Sequence, residues 1–149
     1  MKMVDLEPGD ARLASEVLPV LRELRPRLTE ELFAQVYAEG YGQGLRFSAA
    51  YADDGACVGV AGWRVVVNTS ALRKLYVDDL VTSSAARSGG VGRALLAHVE
   101  ERAVRLGCTQ LDLDSGTQRT DAHRFYLRER MAITSFHFRK VLDQPDSPA

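Results

Sequence analysis

Arg87-Ser88-Gly89-Gly90-Val91-Gly92-Arg93-Ala94-Leu95-Leu96 sets three glycines between two arginines, directly ahead of an apolar run with helical spacing. Glycine costs a loop entropy and a helix stability, so three together serve a backbone that must bend sharply or approach something closely. A loop that leads from a strand into a helix exposes unpaired backbone N–H groups at the positive end of the helix dipole. Without Cβ atoms in the way, such a loop can close around a phosphate or pyrophosphate, and the flanking arginines point to the same charge. Two common versions are excluded. A P-loop needs Lys and then Ser or Thr after its last glycine, and here Gly92 is followed by Arg93-Ala94. A dinucleotide fingerprint needs Gly or Ala where Leu95 stands. What fits is Arg-x-x-Gly-x-Gly at Arg87, Gly90 and Gly92, a short pattern whose plain alternative is a strand-to-helix turn.

The loop's surroundings define the fold class. From Val91 to Leu106 the positions Leu95, Leu96, Val99, Ala103 and Leu106 repeat at helical spacing, and Gly107 stops the helix. A long strand, about Leu72 to Thr82, precedes the loop, and Thr109 to Asp114 alternates like another strand. This strand-loop-helix-strand unit implies one parallel pair. Upstream, a strand near Met3 to Leu6 is followed by a helix from Ala11 to Leu24, capped by Asp10 and kinked or divided by Pro19. Thr29-Glu30-Glu31 opens a second helix that Gly40 ends. Residues 45–52 and 56–67 flank Asp53-Asp54-Gly55 and read as an antiparallel hairpin. Asp121 to Arg130 reads as the last helix and residues 133–142 as a closing strand. The expectation is α/β: a mixed, mostly antiparallel central sheet with a splayed parallel pair and about four flanking helices. One domain over 1–142 accounts for this, with a frayed tail at 143–149.

Composition narrows the partners. The 149 residues are 46% hydrophobic and 26% charged, and 19 basic against 20 acidic residues give a formal net charge of −1. That balance gives no general reason to expect nucleic acid or an anionic membrane. The first residues carry no secretory signal and no segment is long enough to span a bilayer, so a cytoplasmic enzyme or binding domain is expected. Cys57 and Cys108 are too few for a disulfide framework, and His98, His123 and His137 lack metal-ligand spacing, so no metal is expected. A homodimer is left open.

The stretch from Val77 to Cys108, followed by Leu111 to Met131, resembles the GCN5-related N-acetyltransferase (GNAT) family across the C-terminal half. Strand, Arg-x-x-Gly-x-Gly loop, helix, strand and an Ala-x-x-Phe-Tyr segment at Ala122, Phe125 and Tyr126 follow in the same order. The resemblance implies that acetyl-CoA is the cosubstrate, its pyrophosphate held by Arg87, Ser88, Gly89, Gly90, Val91, Gly92 and Arg93. It implies that Leu80, Val81 and Thr82 offer strand-edge groups to the pantetheine arm, as to an added strand. It further implies an acidic base, Asp78 or Asp79, and Tyr126 as the acid for the leaving thiolate. Neighbours on a strand point to opposite faces, so one aspartate should face the cleft, and Asp78 is preferred.

Two positions depart from the family's pattern. Arg119 replaces a common Asn, which leaves the usual amide contact open while a contact with phosphate or pantetheine remains possible. Arg130-Met131 replaces Gly-Phe, and an arginine costs about 1 kcal/mol in the left-handed conformation of a helix end, so a differently built end is expected. Asp112 and Asp114 share a strand face and are read as exposed charge or as an attraction for a cationic substrate. Trp63 and Tyr76 line a pocket or pack the core. Cys108 is read as an inert small hydrophobe. The reading is direct acetyl transfer to a primary amine, a small molecule rather than a protein lysine or N-terminus. A non-catalytic acyl-CoA-binding regulatory module is the alternative.

Overall fold

A computed structural model describes residues 1–145. They fall into two compact units, Met1–Leu113 and the residues from Asp114 onward. The last four positions of the expected tail lie outside the described residues.

The first unit is built on a five-stranded sheet in the order β1-β2-β3-β4-β5. β1 (Lys2–Leu6), β2 (Arg46–Tyr51), β3 (Cys57–Val66) and β4 (Lys74–Thr82) pair antiparallel in succession, and β5 (Gln110–Leu113) joins β4 in parallel. The mixed sheet is as expected. The turn between β2 and β3 is closed by Gly55 at φ 87°, where only glycine enters without strain.

Helices cover both faces. On one side lie α1 (Leu18–Leu24) and α2 (Glu30–Tyr41), where Val17, Leu21, Phe33 and Tyr37 pack with Phe47, Val60 and Val81. On the other lies α3 (Val91–Arg105), whose Val91, Leu95, Val99 and Ala103 pack with Ala61, Trp63, Leu75 and Val77. Trp63 belongs to this core, and its indole donates to the buried Ser48 hydroxyl at 3.0 Å.

Local chemistry explains three departures from expectation. Pro19 does not break the first helix; a π-helical turn, Leu13–Val17, precedes α1. Proline has no N–H and crowds the carbonyl four residues back, so the chain widens there and the Leu18 N–H reaches Leu13 O. Gly40 does not end α2, which runs to Tyr41. A Cβ on Gly40 would stand 2.8 Å from Leu45 Cδ2, so that glycine admits a close approach, while Gly44 at φ 96° makes the turn. Leu72 lies outside β4, in a turn at φ 62°.

The second unit carries α4 (Thr120–Arg128). Arg130 takes the left-handed conformation, φ 67°, and Met131 N–H donates to Tyr126 O at 3.0 Å. The helix end is therefore closed in the manner a glycine would close it, despite the arginine. Residues 133–142 form no strand among the described residues, which corrects the expected closing strand.

Gly59 on β3 sets how closely α3 approaches the sheet. A Cβ there would stand 2.6 Å from Val91 Cγ1 and 2.7 Å from Leu95 Cδ1, both on buried side chains. Gly59→Ala is expected to destabilise by about 1–3 kcal/mol through overpacking. Gly42→Ala, whose Cβ would meet only Glu39 O at 3.7 Å, should change urea stability little. Equal effects of the two would remove Gly59 as the spacer.

Candidate functional site

Along β4 the register with β3 pairs Val77 with Trp63 and Asp79 with Gly62. Asp78 is therefore one residue too many, a β-bulge. Without it Asp78 and Asp79 would point to opposite faces. With it the alternation restarts, so Leu75 and Val77 pack on the α3 face while Asp78, Asp79 and Val81 turn to the α1–α2 face. The expectation that only one aspartate faces the cleft is corrected: both line it.

The two carboxylates are held differently. Asp79 Oδ1 accepts from Arg25 Nε at 2.8 Å, and the same guanidinium donates to Asp78 O at 3.0 Å. Asp78 Oδ1 accepts from Arg64 at 2.7 Å, but its Oδ2 is buried with no hydrogen-bond partner. Burial pushes the Asp78 carboxyl above its ordinary value, against the pull of Arg64. A cleft of about 850 Å³ opens over both, walled by Leu24, Leu28, Leu32 and Val36. Gly62 makes room for this floor, because a Cβ there would lie 2.9 Å from Asp79 Oδ2 and 2.8 Å from Phe47 Cε1.

Beyond the bulge, β4 outruns its parallel partner. The ladder to β5 ends at Val77 and Leu113, while β4 continues to Thr82. Among the described residues, Leu80, Val81 and Thr82 have β3 on one side and no strand on the other, so part of their backbone hydrogen-bonding capacity is left over. The chain then leaves the sheet through a 3₁₀ turn, Ser84–Ala86. The Glu23 carboxylate, on α1, accepts the Ser84 N–H at 3.0 Å and ties this exit down.

The glycine loop follows. Arg87, Ser88, Gly89 and Gly90 are exposed, Gly92 and Arg93 lie in the first turn of α3, and Val91 is buried as its anchor. Ser88 at φ 68° and Gly90 at φ 77° are both left-handed, which curls the backbone toward the helix start. Gly90 is the N-cap, no side chain caps the helix, and Ala94 is the donor to Gly90 O at 3.0 Å. A Cβ on Gly90 would meet nothing within 4 Å. The cradle is open, and the residues present suit a pyrophosphate.

In the second unit, Arg119 is the N-cap of α4, and Tyr126 is half-buried on that helix. Burial raises the Tyr126 phenol above its usual value, with the Arg119 charge opposing.

The remaining candidates are occupied by structural contacts. Asp112 accepts from Lys74 at 2.9 Å. Asp114 faces His137 at 3.1 Å, His98 pairs with Asp5 at 3.0 Å, and His123 bonds Gly116 O at 2.7 Å. Tyr76 lies beside Lys74, whose Nζ is 5.8 Å from its ring centre. Cys108 is half-buried at the edge of the α3 core. Sequence reasoning missed Arg25, Arg64, Glu23, Gly59 and Gly62. Only the glycines carried a signal, since glycine inside a strand marks a bulge or a close approach.

Known proteins resemble this chain in sequence and in fold. The profile of the Acetyltransferase (GNAT) family matches residues 13–131. The uncharacterized N-acetyltransferase YhdJ of Bacillus subtilis is 35% identical over 133 residues, covering 85% of this chain and 89% of its own length. The aminoalkylphosphonate N-acetyltransferase of Salmonella typhimurium is 39% identical over 66 residues, 44% of this chain and 43% of its own. Among solved structures, a putative acetyltransferase from Agrobacterium tumefaciens superposes with a TM-score of 0.76 at 26% identity, over 94% of this chain and 100% of that one. The chain belongs to the GNAT family and is an acyl-CoA-dependent acetyltransferase. The family uses acetyl-CoA as cosubstrate.

Proposed function

We propose that this enzyme moves an acetyl group from acetyl-CoA directly to a small primary amine bound in the α1–α2 cleft. The observation that carries the reading is the buried, unpartnered Asp78 Oδ2 on the cleft floor. An amine must be neutral to attack, and Asp78 is the base that takes its proton. Its raised pKa strengthens it as a base, whereas Asp79, bound to Arg25, orients the floor. Backbone N–H groups near Leu80 and Val81 polarise the thioester carbonyl, Thr82 continues the edge for pantetheine, and the Arg87–Arg93 segment holds the pyrophosphate. Arg119 is kept as a phosphate or pantetheine contact on the family pattern. So is Tyr126, as the proton donor for the leaving thiolate; its raised pKa keeps the phenol protonated near neutrality. A direct mechanism is favoured because no activated nucleophile is apparent. The cleft's volume of about 850 Å³ suits a small acceptor.

Gly90→Glu puts a carboxylate where a phosphate should sit. Calorimetry is expected to show at least tenfold weaker CoA binding in the folded variant, and unchanged affinity would take the loop out of the site.

For the base, ionised Asp78 is the active form, so turnover should rise with pH through an apparent pKa above the ordinary carboxylate range. Asp78→Asn should remove that limb and lower turnover about 10²-fold or more, beyond the loss in Asp79→Asn. Tyr126→Phe should cost at least tenfold in turnover with CoA affinity unchanged. Thiol release from acetyl-CoA across an amine panel checks all three. If CoA binds and no amine is acetylated, the regulatory-module alternative takes over.

A further inference from the structure

The cleft that holds the acceptor has a definite chemical character. Leu32 and Val36 lie one turn apart on α2, are 47% and 49% exposed, and both face the cleft. With Leu24 and Leu28 they make an apolar wall beside the buried, unpartnered carboxylate oxygen of Asp78. The ionic groups around the cleft balance, three arginines (Arg25, Arg27, Arg64) against three acids (Glu39, Asp78, Asp79). Such a lining attracts neither a polycation nor a polyanion. Resting on the acetyl-transfer reading above, we infer that the acceptor is a primary amine with an apolar body, an alkylamine or arylalkylamine. Its ammonium meets Asp78 and its hydrocarbon lies along Leu24, Leu28, Leu32 and Val36.

The test is kcat/KM for n-alkylamines from propyl to octyl and for phenethylamine, beside spermidine, 2-aminoethylphosphonate and a lysine peptide. A buried methylene is worth about fourfold, so kcat/KM should climb by about that factor per carbon until the cleft is full. Leu32→Asn with Val36→Asn, at exposed positions that tolerate polarity, should flatten the climb to within twofold per carbon with CoA affinity unchanged. A flat series in the parent enzyme, or a polar amine as the best acceptor, overturns the apolar class and leaves acetyl transfer standing. Failure of every amine overturns both readings.

Discussion

One surplus residue in β4 organises the molecule. Where Asp78 has no counterpart between Gly62 and Trp63, the strand changes phase, and three consequences follow from that geometry. Leu75 and Val77 before it serve the α3 core, and Val81 after it serves the opposite one. Two adjacent carboxylates come to share a face that a regular strand would deny one of them. The parallel ladder with β5 stops at Val77, one residue short of the bulge, so the strand beyond keeps an open edge. Carboxylates and free backbone groups thus meet at one point of the sheet.

Two neighbouring carboxylates on an apolar floor would repel one another and resist burial. The fold divides them. Arg25 spans the Asp79 carboxylate and the Asp78 carbonyl, so one guanidinium neutralises a charge and braces the bulged backbone. Arg64 takes one oxygen of Asp78 and leaves the other buried without a partner. Gly62 is the steric condition for this, because any side chain there would press on Asp79 and Phe47. Specificity and chemistry depend on the same few residues, since α1 and its exit loop also supply Leu24 and Leu28 to the cleft wall.

What could be read from the residues was what is local. Helical spacing, capping threonine and glycine punctuation located α2 and α3, and the arginine–glycine loop announced its own backbone, left-handed at Gly90. The bulge left no such mark. Val77-Asp78-Asp79-Leu80 obeys simple alternation, and the extra residue exists only relative to β3. The partners Arg25 and Arg64 were equally invisible, because pairings 54 and 14 residues apart are properties of the folded sheet. Arg130 failed in the opposite direction. Local energetics argued against a left-handed arginine, yet the bonds from Arg130 and Met131 to Leu127 and Tyr126 outweigh about 1 kcal/mol of strain. The pattern in 133–142 suggests a strand, and the described residues form none there.

Asp78 also shows how the site and the stability of the fold oppose one another. Its folded pKa lies above the unfolded value because burial disfavours the charge. A carboxyl shifted in that direction binds its proton more tightly in the folded state. Its contribution to stability is therefore fullest at low pH and is lost as pH rises through the folded pKa. Ionised Asp78, the form that can accept a proton from an amine, is the form the fold tolerates least. The strand keeps its shape there because Asp79 with Arg25, the packing of Phe47 beneath Gly62, and the apolar cores on both faces do not depend on the protonation of Asp78. A base can be left half-satisfied in this cleft because its neighbour is paired with Arg25.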